Sequence, residues 1–141
     1  MKIFFDADIC LDLLDSKREN SKSSISWYLQ NKDNSSLEFY FSGDFITTFY
    51  YILTQKRKLD SNLVIEAISS LCSEITPLYL EHSDFLLAKD SFEKCILKDF
   101  EDLIILQSAK RNYCNIFITN DKELIGLKNF EDIKIQNLEE K

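Results

Sequence analysis

Apolar residues along the chain fall into two alternating kinds of block. Ile3 to Phe5 is an unbroken run that stops at Asp6, and an apolar-periodic segment follows at once through Leu14. This is the pattern of a buried strand whose carboxyl end delivers an acid into a crevice, with a helix leading away. Ile25, Tyr28 and Leu29 repeat at helical spacing between two polar loops, Lys17 to Ser21 and Asn31 to Ser36. Leu37 to Phe41 is aromatic-rich and suits a second strand. After Ser42-Gly43-Asp44, the residues Phe45, Phe49, Ile52 and Leu53 share one helical face. Asp60 is a capping signal for a helix through Val64, Ala67, Ile68, Leu71 and Cys72. Ile75 to Leu80 reads as a third strand, with Pro77 moving it to a sheet edge. A helix over Asp84 to Phe92 and another from Asp99 follow, the second carrying the all-apolar stretch Leu103 to Leu106. Asn115 to Thr119 and Ile133 to Leu138 complete the set as a fourth and a fifth strand.

Strands alternating with helices predict an α/β domain with a mainly parallel sheet. At 141 residues the chain is one domain's worth, residues 1–141, with no internal repeat and no dividing linker. Two Gly and one Pro argue against a sandwich or barrel of many tight turns. The net charge of −7 lacks the field of a protein that grips nucleic acid non-specifically, though a carboxylate cluster built to hold a cation gives the same sign. Cys10, Cys72, Cys95 and Cys114 are widely spaced, without CxxC or a neighbouring His, and read as buried free thiols in a reducing compartment. No apolar run approaches a membrane span and no signal-peptide pattern opens the chain, so a cytoplasmic location is expected.

The first and fourth strands end in carboxylates, Asp6 and Asp121, and parallel sheets bind ligands outside such strand ends. An Asp after a strand also serves as a helix cap; Asp8 can fill that role, which frees Asp6. Asp99 and Asp102 open a helix as i, i+3 neighbours on one face, with Glu101 expected to point elsewhere. The helix dipole favours acids there, which accounts for one or two of them but not for the apolar helix behind them. Carboxylates within ~4 Å repel by about 4 kcal/mol per ionised pair at an effective dielectric near 20. Such a cluster calls for protons or cations, and oxygen-only donors suit Mg²⁺ or Mn²⁺ and phosphoryl chemistry.

Four segments in order carry a family resemblance: Phe4 to Leu14; Tyr40-Phe41-Ser42 with Phe49 to Leu53; Asp99 to Ile104; and Ile118 to Leu124. Together they resemble the PIN-domain family, in its VapC toxin branch, along nearly the whole chain. The resemblance implies a three-layer α/β/α sandwich around a mainly parallel five-stranded sheet. It also implies a Mg²⁺- or Mn²⁺-dependent endoribonuclease, the toxin of a toxin–antitoxin pair. Asp6, Asp99, Asp102 and Asp121 would be its catalytic and metal-binding acids, with Thr119 a hydroxyl at the site edge. RNA as substrate, a small antitoxin and a homodimer follow from the same resemblance. One position departs from the pattern: the family usually has a Glu where this chain has Thr48, and Asp44, one turn earlier, is the nearest acid.

Other readings compete. A degenerate PIN module would bind RNA or a protein without cutting. A haloacid-dehalogenase-type phosphatase would use Asp6-Ala7-Asp8 as its D-x-D, although no downstream Ser/Thr and Lys motif follows in order. The remaining features read as structural: His82 in a turn, Lys56-Arg57-Lys58 and Lys110-Arg111 at helix ends (either run also able to touch an RNA backbone), and the stripe Phe45, Phe49, Tyr50, Tyr51 as core and dimer surface. The tail Glu139-Glu140-Lys141 reads as solvated.

Overall fold

A computed structural model describes residues 1–138, so the charged tail lies outside the described residues. The chain alternates as the pattern predicts. The strands are β1 (Lys2–Phe5), β2 (Glu38–Ser42), β3 (Thr76–Leu78), β4 (Ile116–Ile118), β5 (Asn129–Phe130) and β6 (Ile133–Gln136). The helices are α1 (Ala7–Leu14), α2 (Ser21–Asn31), α3 (Ile46–Tyr51), α4 (Ser61–Glu74), α5 (His82–Glu93), α6 (Phe100–Arg111) and α7 (Lys122–Leu127). A 3₁₀ turn (Gly43–Phe45) leads into α3, and a π-type turn (Ile52–Lys56) continues it.

The sheet has six strands in the order β3-β2-β1-β4-β6-β5, all parallel except for the antiparallel β5–β6 pair. The sixth strand is the two-residue β5, too short to leave a periodic trace in sequence. Pro77 does sit on an edge strand, where its missing N–H costs no ladder bond. The strand period of two sends alternate residues of β1 to opposite layers. Ile3 and Phe5 pack with Ile9, Phe39, Phe49, Leu53 and Ile68 on the side of α1 to α4, where Phe5 stacks on Phe39 at 5.6 Å. Phe4 faces the other way, stacked on Phe117 at 5.3 Å and packed with Leu103, Leu106 and Leu124 of α6 and α7. The result is the three-layer α/β/α arrangement, with Leu103, Ile105 and Leu106 buried as the apolar run requires.

Three expectations change. Cys10 and Cys114 are buried thiols, but Cys72 is half-buried and Cys95 exposed, because Cys95 occupies a left-handed turn (φ 58°) just past α5. Arg111 and Arg57 are structural cations rather than free helix-end charges. His82 is the first residue of α5, its ring stacked on Phe85. The chain has three arginines in all, and each pairs with a buried aspartate. Arg18 meets Asp12 at 2.8 Å, Arg57 meets Asp15 at 2.6 Å, and Arg111 meets Asp84 at 3.0 Å. Arg57 holds the Asp15 carboxyl below its usual range. Arg111 also donates to the carbonyl of Tyr79, tying α6 to the turn between β3 and α5. Among the described residues no helix is long and apolar enough to cross a membrane.

Removing one partner of a buried pair is costlier than the pair is worth, because the other charge stays behind. Arg111→Ala should therefore lower the unfolding free energy by about 3 kcal/mol, read from the urea midpoint. Lys110→Ala, which breaks a surface pair with Glu131, should cost under about 1 kcal/mol.

Candidate active site

Register places the first acids. Phe5 is level with Ile118, so the residues that follow, Asp6 and Thr119, leave the sheet side by side. The Thr119 hydroxyl, fully buried, donates to Asp6 Oδ2 at 2.7 Å and accepts the Asp121 N–H at 3.0 Å. One hydroxyl thus joins two acids 115 positions apart in the sequence. Asp6 is also the N-cap of α1: its backbone is extended (φ −67°, ψ 161°) and its Oδ1 accepts the Ala7 N–H at 2.8 Å. The sequence reading gave that duty to Asp8, but Asp8 already lies inside the helix. Its Oδ2 instead accepts the Asn120 N–H at 3.0 Å, and its Oδ1 is buried without a hydrogen-bond partner.

The same capping logic fixes the other acids. Asp121 caps α7, accepting N–H bonds from Glu123 and Leu124, and Asp99 caps α6, accepting from Glu101 and Asp102. Each binds its helix through Oδ1, and among the described residues its Oδ2 accepts no hydrogen bond. Asp102 lies within the first turn of α6, and its carboxylate accepts no hydrogen bond. A bond from the Lys98 N–H to Glu123 Oε1, 3.1 Å, joins the segment before α6 to the start of α7.

These carboxylates act on one another electrostatically. Burial pushes the Asp102 carboxyl up to about 7, and repulsion from Asp99, Asp6, Asp121 and Glu101 adds to the effect. Burial also raises Asp6; the Thr119 hydroxyl and the Ala7 N–H oppose the rise, while Asp121 and Glu101 reinforce it. Asp8 is raised to about 6 by burial and then by Asp6. Asp102 thus lies within electrostatic reach of Asp6, Asp99 and Asp121, and among the described residues none of these four acids is paired with an arginine or lysine.

Two expectations need correction. Glu101 is not remote from the set: it lines a neighbouring cleft, and its charge adds, as the smallest of the contributions, to the rise at Asp6 and Asp102. Asp44 is not a spare site acid, since its Oδ2 accepts the Leu80 N–H at 2.8 Å and the Ser42 hydroxyl at 3.4 Å, stitching two loops together. Thr48 and Glu101 line one cleft with Phe45, Leu80 and Ile105. Asp12 and Asn120 escaped the sequence reading. The Asp12 carboxylate, 1% exposed, accepts from Ser24 at 2.7 Å and from the Asn120 side chain at 3.5 Å. Their only sequence signal is position: one turn beyond Asp8, and one residue before Asp121.

The donor set fits a hard divalent cation in its chemistry. It is all oxygen, it has unengaged carboxylate oxygens, and it has no protein cation nearby. Among the described residues, no three such side chains are already gathered around one point, so closure around an ion needs side-chain rotation.

A parallel sheet whose strand ends carry helix-capping aspartates, with a further acidic helix start beside them, defines a PIN-type α/β/α domain. No family model matches the chain. Ribonuclease VapC1 of Aquifex aeolicus is 29% identical over a 152-residue alignment covering 99% of this chain and 92% of that protein. The fold resembles VapBC2 of Rickettsia felis, solved bound to a DNA fragment from its promoter (TM-score 0.71, 13% identity, 97% of this chain and 98% of that one). It also resembles Mycobacterium tuberculosis VapC20, a Sarcin-Ricin loop cleaving toxin (TM-score 0.68, 10% identity, 94% and 98% covered). In sequence and in fold the chain is thus similar to VapC-type PIN-domain proteins.

A carboxyl whose folded pKa is raised binds its proton more tightly folded than unfolded, so it weakens the fold as pH climbs from the unfolded value towards the folded one. Asp102→Asn should therefore raise the melting temperature of the metal-free protein most above pH 7, with the gain shrinking towards pH 4. A gain that did not change with pH would show that Asp102 is not held in its protonated form.

Proposed function

We propose that this chain is a Mg²⁺- or Mn²⁺-dependent endoribonuclease, the toxin of a toxin–antitoxin pair, acting as a homodimer. What supports the reading is that Asp102 feels the charges of Asp6, Asp99 and Asp121, with no ion-pair partner for any of the four among the described residues, near the strand ends where parallel α/β proteins bind ligands. Similarity to a ribonuclease over nearly the whole chain supports the RNA substrate. Similarity to VapBC complexes supports the antitoxin partner. In this reading the four acids hold the cation, which supplies Lewis-acid stabilisation of a phosphodiester and a lowered pKa for bound water.

The chain's own residues do the positioning. Thr119 fixes the orientation of Asp6 through its hydroxyl and the backbone of Asp121 through that N–H. Asp102, its carboxyl pushed up to about 7 chiefly by burial, would hold the cation in its ionised form. Asp8 supports the site from behind, its carboxylate holding the Asn120 N–H. That engagement leaves Asp8 poorly placed as the free acid/base a haloacid-dehalogenase-type phosphatase needs. Thr48, in place of the usual acid, motivates the competing reading of a PIN module that binds without cutting.

Calorimetric titration with Mn²⁺ separates these readings. Wild type should bind, Asp6→Asn should weaken binding at least tenfold, and Mn²⁺ should restore RNA cleavage to chelator-treated wild type but not to Asp6→Asn. Wild type that neither takes up Mn²⁺ nor cuts structured RNA would falsify the nuclease reading.

A further inference from the structure

We infer that the cleft beside the acidic site is the seat of an unpaired guanine base, read by Glu101; this rests on the ribonuclease reading above. The cleft, about 390 Å³, opens between the helix start that follows β2 and the first turns of α6. That size lies within the range of small-ligand sites. Its walls are of two kinds. Phe45, Leu80 and Ile105 are apolar, with Phe45 half-buried and so able to present part of its ring. The polar side is made by Glu101 and Asp44, with the hydroxyls of Thr48 and Ser42.

No lysine or arginine lines this cleft, so it is unsuited to a phosphate. It is instead rich in acceptors. Asp44 Oδ2 is already occupied by Leu80 and Ser42. Among the described residues, the Glu101 carboxylate accepts no hydrogen bond and pairs with no cation, which leaves both oxygens for a ligand. Guanine is the standard RNA base that carries two adjacent donors on its Watson–Crick edge, N1–H and the 2-amino group, and these match the two oxygens of one carboxylate. The exposed Thr48 hydroxyl can donate to O6 of the same base. Splayed bases stacked against aromatic and apolar side chains, with their edges read by hydrogen bonds, are the usual mode of sequence-specific RNA recognition. Glu101 adjoins Asp102 in sequence and lies close enough for its charge to act on Asp6 and Asp102. A base seated here would therefore belong to a nucleotide next to the acids.

Two measurements on the full chain test this. In the first, heteronuclear NMR follows the amides of Phe45, Thr48 and Glu101 during titration with guanosine, inosine and cytidine. Guanosine should bind at least about tenfold more tightly than inosine, which lacks the 2-amino group, and Glu101→Gln should erase that difference while keeping a folded spectrum. In the second, cleavage ends from a randomised single-stranded RNA pool are sequenced. Wild type should show guanosine enriched at one fixed position relative to the cut, and Glu101→Gln and Thr48→Val should each reduce that enrichment. Equal binding of guanosine and inosine, or unchanged enrichment in Glu101→Gln, overturns the proposal. So does loss of Mn²⁺ binding in Glu101→Gln, which would place Glu101 among the cation's own ligands. Guanosine binding as described with no RNA cut by wild type would leave the base seat standing and remove the nuclease reading.

Discussion

Burying a carboxylate inside a domain of this size is tolerable only opposite a cation or several N–H donors, and this chain has three arginines with which to do it. All three are engaged by aspartates outside the set Asp6, Asp99, Asp102 and Asp121, namely Asp12, Asp15 and Asp84. Those pairs tie α1 to the loop that follows it, the end of α1 to the turn after α3, and α5 to α6. The acids at the crevice receive none. Their charge is managed instead by backbone, because Asp6, Asp99 and Asp121 each sit at a helix N-terminus where N–H groups and the dipole favour an anion. The capping bonds that start the helices also aim the site, so fold and chemistry use the same carboxylates.

Asp102 is where this arrangement falls short. It lies inside α6 rather than at its cap, has no donor of its own, and faces acids already in place. The repulsion is left standing in the folded protein. A structural acid in that position would have been given an arginine, as Asp84 was one helix away. A site that takes its counter-charge from solution has reason to leave it bare.

The sequence carried most of this. Strands and helices were legible because apolar residues switch from short runs to helical spacing, and the acids because they fall where strands end. Glu101 was misplaced because helical geometry gives the direction of Cβ, whereas a long side chain in a first turn can swing across the helix end. Asp6 and Asp8 exchanged roles because capping depends on which residue still has extended backbone, and spacing alone does not fix that. The strand β5 is two residues long, too few for a period. Asp44 looked like a substitute acid on one helix face, but its partner, the Leu80 N–H, lies 36 residues away, beyond any local pattern.

The clip at Asn120 has a mechanical consequence. Through its N–H to Asp8, its side chain to Asp12, and its neighbours Thr119 and Asp121, it joins the start of α1 and the start of α7 into a single body. The segment before α6 is linked to that body by the hydrogen bond from the Lys98 N–H to Glu123, and α6 itself by packing. The crevice therefore has one wall pinned by hydrogen bonds, carrying Asp6 and Asp121, and one held chiefly by the buried apolar face of α6, carrying Asp99 and Asp102.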